Sequence, residues 1–182
     1  MGSAATEEVG ELLRRFRKKP LFDPELLPDQ VDYGPEVVRN LIPHRPPVLF
    51  VDRVSGIDLR ELRIAGERFM DPVDPVFSGH FPGHPIFPGT FQIEAVGQLG
   101  LCLHFFRSQG SSAPPSEPVA LSVRATRVLG AYYGEPVPSG VRAVLVAQVL
   151  QVDSYFAAMV GQCLVDGKVA SVSAGEVLFL EP

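Results

Sequence analysis

The order of apolar and polar residues along the chain predicts two strands, one long helix and then four more strands. Residues 48–59 and 61–69 have the composition of strands, and their junction is short enough for a tight turn. Residues 91–106 contain no proline and have the length of a helix. The later strands are predicted at residues 119–129, 141–152, 155–165 and 168–180. Asp166-Gly167 is a hairpin turn signal between the last two.

The predicted helix is apolar on almost every side, which favours a buried position. A buried helix between strand-forming segments favours an antiparallel sheet that curves around it, in the α+β class. Thr90 has the chemistry of an N-cap, so Glu94 is expected at the end of the first helical turn. A carboxylate among apolar residues is costly unless it has a partner or a task. Gln98, one turn further on, is predicted to hold Glu94 by a side-chain hydrogen bond.

The first forty residues differ in character, so we predict an N-terminal extension (1–40) and a main domain (41–182). Residues 7–19 are predicted to form a short helix, acidic at its start and basic at its end. Its basic cluster comprises Arg14, Arg15, Arg17, Lys18 and Lys19. A solvated terminal helix is the preferred interpretation, and a contact for an acidic partner is the alternative. Residues 20–47 carry seven prolines, so we expect an ordered wrap with regular structure only at residues 36–40.

Composition and charge exclude several classes of protein. The chain has 182 residues, 46% of them hydrophobic and 20% charged, which is typical of a globular protein. A net charge of −5 speaks against a dedicated nucleic-acid binder. The longest apolar run is too short to span a bilayer and no signal-peptide pattern is present, so we expect no membrane association and a cytoplasmic location. Cys102 and Cys163 lack metal-ligand spacing and are expected to stay reduced.

Residues 78–98, SGHFPGHPIFPGTFQIEAVGQ, hold most of the candidate chemistry. Pro82-Gly83 and Pro88-Gly89 are turn signals, so His80 is expected on a stiffened loop. His80 and His84 have the spacing of a metal-binding pair, but such a pair needs a helix, and the proline and glycine between them forbid one. No metal site is therefore predicted.

Three blocks of the chain resemble one enzyme family. They are LIPHRPPVLFVDRV (41–54), the segment 78–98 and CLVDGKVASVSAGEVLF (163–179). Together they resemble the 3-hydroxyacyl-acyl-carrier-protein dehydratases of dissociated fatty-acid synthesis, of the FabZ type. The signature GHFPGxPxxPGxxxxEAxxQ of that family matches residues 79–98 at every fixed position. The resemblance extends from residue 40 to the C-terminus and is poor over residues 107–140.

The resemblance implies a hot-dog fold, a homodimer or a trimer of such dimers, a substrate carried on acyl carrier protein, and no cofactor or metal. It also implies that the active site forms where His80 of one subunit meets Glu94 of the other. Dehydration needs a base for the proton on C2 and an acid for the hydroxyl that leaves C3. A neutral histidine suits the first role, and a buried carboxylic acid that keeps its proton suits the second.

Other residues have supporting roles in this interpretation. The backbone N–H of Gly89, where the turn enters the helix, is suited to bind the developing thioester oxyanion. By the family pattern, the carbonyl group of Ile86 orients His80 and so selects its tautomer. Phe81, Pro88 and Gln98 are implied beside the substrate. Structural or supporting places, rather than chemistry, are expected for the remaining histidines: His44, His84 and His104.

Residues 124–140, RATRVLGAYYGEPVPSG, depart from the basic KxRFRxPVxPGD pattern of the family, most visibly at Tyr132 and Tyr133. Because this segment helps to shape the acyl tunnel in the family, the acyl length and the pathway stay open. Dehydratases that also isomerise the double bond carry aspartate where this chain has Glu94, which favours simple dehydration. A dehydratase/isomerase, a hot-dog thioesterase and a non-catalytic acyl-binding module remain alternatives.

Carrier proteins are acidic, so a basic surface near the tunnel is expected to attract them. The candidates are the basic cluster together with Arg39, Arg45, Arg124 and Arg127.

Overall fold

A long central helix and one antiparallel sheet form the frame of the computed structural model, which describes residues 3–119 and 121–180. The helices are α1 (Ser3–Phe16), α2 (Pro35–Leu41), α3 (Val76–Gly79) and α4 (Gly89–Gln109), with a 3-10 turn at Pro24–Leu26. The strands are β1 (Asp29–Tyr33), β2 (Arg53–Asp58), β3 (Arg63–Phe69), β4 (Val123–Tyr133), β5 (Arg142–Val152), β6 (Phe156–Val165) and β7 (Lys168–Phe179). Their order in the sheet is β1-β2-β3-β5-β6-β7-β4, and all neighbours are antiparallel.

Helix α4 packs against β3, β5, β6 and β7 and supplies much of the core. Leu99, Leu103 and Phe106 have no exposed surface. The helix ends at Gly110, whose left-handed backbone (φ 62°) lets its N–H donate to the carbonyl groups of Phe106 and Arg107. The predicted fold, one long apolar helix against an antiparallel sheet, is confirmed.

The start of α4 differs from the prediction. Gly89 is its first residue and Pro88 precedes it, and no side chain caps this end of the helix. Proline fixes its own φ near the helical value and has no N–H to leave unpaired, so it starts the helix earlier than a threonine cap at residue 90 would. Thr90 is therefore not the N-cap, and Glu94 lies in the second turn, where the helix dipole acts more weakly.

Three of the strand predictions need correction. The first strand was predicted at residues 48–59, but β2 begins only at Arg53. The backbone groups of residues 48–50 bond to the side chains of Gln98 and Arg68 and not to a neighbouring strand. Residues 29–33 form β1, which pairs with β2, although the prolines of this region argued against a strand. Those prolines lie on either side of β1 and remove no hydrogen bond from it. Strand β4 lies at residues 123–133 rather than 119–129.

The chain before β1 covers the face of the sheet opposite α4. Successive residues on a strand point to opposite faces. Ile64, Leu145 and Cys163 pack in the core that contains α4, whereas their neighbours Ala65, Val146 and Leu164 pack against the N-terminal segment. That segment contributes Leu12, Leu13, Phe16, Leu21 and Phe22. This N-terminal segment is packed on the sheet, and the domain division at residue 40, whose outer limits at residues 1 and 182 lie outside the described residues, stays a prediction.

Both cysteines are buried and unpaired. Burial raises the pKa of the Cys102 thiol and of the Cys163 thiol to about 12, so neither is ionised near neutral pH. The described helices include none that is long and apolar enough to cross a bilayer.

Candidate active site

His80 directly follows α3, and a backbone carbonyl orients its ring. Its own N–H donates to the carbonyl oxygen of Val76 at 2.9 Å. Ring atom Nδ1 lies 2.9 Å from the carbonyl oxygen of Ile86. Because a carbonyl only accepts, Nδ1 carries a proton, and in the neutral ring Nε2 is then the nitrogen with the free lone pair. Phe81 stacks on the ring with 3.9 Å between the ring centroids. The predicted contact between His80 and Ile86 is present, and it leaves Nε2 able to accept a proton.

The loop after His80 is held by a tight turn, as the turn signals predicted. Phe81 and His84 exchange backbone hydrogen bonds of 3.1 and 2.9 Å, and Gly83 has a φ of 77°. His84 is exposed on this turn. Within the described residues no group of three or more His, Cys, Asp or Glu side chains is close enough to hold a metal ion.

Glu94 is held by the glutamine one turn further along α4. Gln98 donates from Nε2 to Glu94 Oε1 at 2.9 Å and to the Val48 carbonyl at 2.8 Å. Its Oε1 accepts the N–H of Phe50 at 2.7 Å. The predicted hydrogen bond between Gln98 and Glu94 is confirmed, and Gln98 is itself fixed because all its polar atoms have partners. His44 also lies beside Glu94, with 3.5 Å between Nε2 and Oε1.

The surroundings of Glu94 differ from the sequence-based expectation. Its side chain is 49% exposed in the single chain, so the expectation of a buried carboxyl group is wrong for one copy alone. The apolar residues that suggested burial belong to the other sides of α4, and Ile93 and Gly97 beside Glu94 are only partly covered. The structure thus leaves one side of the helix open at Glu94.

His80 and Glu94 line different cavities of the chain. The larger cavity, of about 460 Å³, is lined by His80 and by the turn that enters α4, namely Ile86, Phe87, Pro88 and Gly89, and on its other side by residues 133–136. The smaller one, of about 130 Å³, is lined by Glu94 together with Val96, Arg127, Met159 and Glu176. Four of the predicted site residues, His80, Ile86, Pro88 and Gly89, therefore line the larger cavity. Phe81 and Gln98 line neither cavity; each contacts one of the two catalytic candidates.

Gly89 and Tyr133 form a close contact at the larger cavity. A Cβ atom at Gly89 would lie 2.5 Å from a ring carbon of Tyr133, so any larger residue would force that ring to move. The N–H of Gly89 donates to no group in the described part of the chain and so can bind a ligand atom. Burial raises the pKa of the Tyr133 hydroxyl. Tyr133 was not predicted as a site residue; its signal in the sequence was the departure from the family pattern at residues 132 and 133.

The remaining histidine, His104, lies late in α4 and stacks on Phe179 with 3.8 Å between the ring centroids. Burial and the nearby Arg107 lower the pKa of its ring. It lies in neither cavity, as expected for a histidine of the core or of an interface.

Comparison with known proteins identifies the family. A model described as a FabA-like domain matches residues 42–172. The chain belongs to the FabA-like family. The 3-hydroxyacyl-acyl-carrier-protein dehydratase FabZ of Campylobacter jejuni is 32% identical over 134 residues, which are 74% of this chain and 88% of that protein. The FabZ protein of Aliarcobacter butzleri is 28% identical over 144 residues, 79% of this chain and 95% of that protein.

A solved structure shows the same fold in a more distant protein. The dehydratase heterocomplex ApeI:P from Xenorhabdus doucetiae contains a chain that superimposes with a TM-score of 0.63 at 16% identity. The match covers 79% of this chain and 91% of the other. His80 and Glu94, the candidate catalytic residues of the two cavities, both lie within the residues that the family model matches. Helix α1 and strand β1 lie before them.

Proposed function

We propose that this FabA-like chain removes water from 3-hydroxyacyl thioesters carried on acyl carrier protein and yields trans-2-enoyl thioesters. One observation carries the proposal: His80, with Nδ1 committed to Ile86, shares a cavity with Gly89, whose N–H has no partner in the described chain. A base and an oxyanion donor therefore face one space, as abstraction of a proton next to a thioester requires. The names of the FabZ relatives agree with this chemistry.

In the proposed reaction, His80 Nε2 takes the proton from C2 of the substrate. The electrons of that C–H bond form the double bond between C2 and C3, and the bond from C3 to its hydroxyl oxygen breaks. Glu94 gives a proton to the departing hydroxyl, which leaves as water. The Gly89 N–H stabilises the negative charge that develops on the thioester oxygen.

His80 and Glu94 line separate cavities of one copy, so neither cavity of a single chain contains both groups. We propose a homodimer in which each Glu94 completes the cavity of the other copy's His80. Strand β4 supports this assembly: it is an eleven-residue edge strand, and its Val128 is 63% exposed next to the Glu94 cavity. An exposed edge strand presents unpaired backbone N–H and C=O groups, which makes it a template for pairing with a strand of another chain. Such a contact would also cover Glu94. Further association of dimers, and a cytoplasmic location, stay predictions.

The test is an assay of enoyl formation with wild-type protein and with His80→Ala and Glu94→Gln. Both changes are expected to lower kcat by about 10²- to 10⁴-fold, because each removes a group that transfers a proton in the reaction. Circular dichroism and size-exclusion chromatography check that both variants keep their fold and assembly. As a further control, His84→Ala changes an exposed histidine of the neighbouring turn and should leave kcat unaffected.

The same assay separates the alternatives. Release of free thiol without enoyl absorbance would identify a thioesterase, and binding of a 3-hydroxyacyl thioester without any product would identify an acyl-binding module. Movement of the double bond after dehydration would add isomerisation. The proposed function is rejected if wild type forms no enoyl product, or if His80→Ala forms it at the wild-type rate.

We further propose that the carrier protein docks through exposed cations of the extension. All five residues of the basic cluster are exposed, and within the described residues none of them forms an ion pair. Arg127 is a poorer candidate, because it pairs with Glu176 at 3.6 Å and lines the Glu94 cavity. Arg17 packs on the ring of Tyr132, the residue next to the cavity residue Tyr133.

Charge reversal of the basic cluster tests this docking. The variant Arg14→Glu/Arg15→Glu/Lys18→Glu is expected to lower kcat/KM about tenfold or more on carrier-bound substrate, and little on a small thioester, because only the carrier is acidic. Arg60→Glu is a control charge reversal outside the extension, since Arg60 is 93% exposed at the β2–β3 turn. Equal losses on both substrates would contradict docking at this cluster.

A further inference from the structure

The buried side chain of Arg68, on β3, forms hydrogen bonds with two segments of the chain. One of these segments positions His80 and the other positions Glu94. The Arg68 side chain is 9% exposed and packs beside two aromatic rings that contact each other, 4.9 Å from the centroid of Phe50 and 5.3 Å from that of Phe87. A guanidinium group in such a place offers donors in fixed directions, so it orients the groups that it contacts.

The first branch from Arg68 leads to His80. Nη2 donates to Asp74 Oδ2 at 3.0 Å. The other carboxylate oxygen of Asp74, Oδ1, accepts the N–H of Val76, the first residue of α3, at 3.0 Å. The carbonyl group of Val76 in turn accepts the N–H of His80. Arg68 and Asp74 thus set the start of the single helical turn that presents His80.

The second branch leads to Glu94. Nη1 of Arg68 donates to the carbonyl oxygen of Leu49 at 3.0 Å. The residues on both sides of Leu49 bind Gln98: Phe50 through its N–H and Val48 through its carbonyl. Gln98 then donates to Glu94. Arg68 therefore holds the middle of the short extended segment that fixes the orientation of Gln98, and through it that of Glu94.

We propose that Arg68 is a positioning residue that holds His80 and Glu94 in place together. The inference rests on the proposed function for the roles of those two residues. Because His80 and Glu94 of one copy serve different sites of the proposed dimer, each Arg68 supports two active sites. A displacement of about 1 Å in a catalytic group can cost about 100-fold in rate, so a residue that never touches substrate can still control turnover.

The test compares Arg68→Met, Arg68→Lys and Asp74→Asn with wild type. Arg68→Met is expected to lower kcat about 10- to 100-fold with KM changed less than about threefold, because positioning acts on the reaction step more than on binding. Arg68→Lys keeps the positive charge but lacks the planar guanidinium group with its two Nη donors. Its kcat should therefore lie between those of Arg68→Met and wild type. Asp74→Asn breaks only the His80 branch and should lose less than Arg68→Met. The double variant should be no slower than Arg68→Met alone, because both act through one network.

Arg53→Met is the control for loss of an ion-paired arginine in the sheet. Arg53 bonds Asp32 at 3.1 Å and Glu67 at 2.7 Å, and neither carboxylate contacts the candidate site. Its removal should lower stability and leave kcat unchanged. If Arg68→Met does not fold, Asp74→Asn decides the question, because the Asp74 side chain is more exposed and keeps its volume.

A second measurement does not depend on turnover. The imidazole signals of His80 in nitrogen-15 NMR spectra, assigned with His80→Ala, report the Nδ1 proton bonded to Ile86. Arg68→Met and Asp74→Asn are expected to broaden or shift these signals, and Arg53→Met is not. Signals that stay unchanged, or a loss of kcat no larger than that of Arg53→Met, would overturn the inference. If wild type forms no enoyl product, the proposed function fails, and the NMR comparison alone still decides whether Arg68 positions His80.

Discussion

Two buried glutamines, Gln98 on α4 and Gln162 on β6, use the same chemistry on opposite faces of the sheet. Gln98 is 1% exposed and Gln162 has no exposed surface. Each accepts a backbone N–H through Oε1 and donates through Nε2 to a backbone carbonyl of the same segment. Gln98 thereby binds residues 48–50 to the central helix, and Gln162 binds residues 16–21 to the outer face.

The difference lies in the remaining donor hydrogen of each amide group. Gln98 gives it to the carboxylate of Glu94, whereas Gln162 gives it to a second backbone carbonyl, that of Lys19. We call the contacts of Gln98 the inner clamp and those of Gln162 the outer clamp. The inner clamp includes the candidate catalytic residue Glu94, and the outer clamp binds backbone groups alone. Gln98 and Gln162 have the same residue type and the same burial. Only the third hydrogen-bond partner, Glu94 in one case and the Lys19 carbonyl in the other, indicates which of them serves the site and which serves stability.

The largest difference in kcat between a change on the α4 side of the sheet and a change on the outer face is expected for two glycine substitutions. Gly89→Ala would place a methyl group 2.5 Å from the Tyr133 ring at the cavity, and we expect kcat to fall about 100-fold because the oxyanion donor is displaced. Gly130→Ala is the matched control on the outer face, where the methyl group would meet only the terminal methyl carbon of the Leu13 side chain, at 2.7 Å. Steady-state assays of both variants measure the contrast, and a comparable loss in Gly130→Ala would contradict it.

A smaller effect on turnover is expected for Gln98→Leu. The change removes the hydrogen bond to Glu94 and leaves the buried N–H of Phe50 unpaired. We expect kcat to fall about tenfold because Glu94 loses its fixed orientation. The unpaired N–H should lower the free energy of unfolding by about 1–3 kcal/mol. Urea unfolding and the enoyl assay measure the two effects separately; an unchanged kcat would remove Gln98 from the site.

The smallest effect on turnover is expected for Gln162→Leu. This change leaves the backbone groups of Phe16, Lys19 and Leu21 without their partner, so a similar loss of about 1–3 kcal/mol in unfolding free energy is expected. Turnover on a small thioester should stay at the wild-type level, because none of these groups contacts either cavity. A large fall in kcat would show that the outer face is connected to the site, and the distinction between the clamps would fail.

Local patterns in the sequence predicted much of this molecule. The apolar run of α4, the Asp166-Gly167 hairpin and the bond between Gln98 and Glu94 depend on neighbours within a few residues. β1 was missed because the proline content of residues 20–47 hides the six proline-free residues between Pro28 and Pro35, five of which form the strand. Arg68 was missed because its bond to Leu49 spans 19 residues, and its bond to Asp74, six residues on, follows no regular helix or strand spacing.

The sequence by itself determined the central helix, most of the strands and the signature that holds His80, Gly89 and Glu94, because periodicity and turn chemistry act over short distances. Only the tertiary structure decided that His80 and Glu94 line separate cavities, that Glu94 is half exposed in one copy, and that Arg68 connects their supports. Burial and long-range hydrogen bonds depend on which segments pack together. No local pattern of residues carries that information.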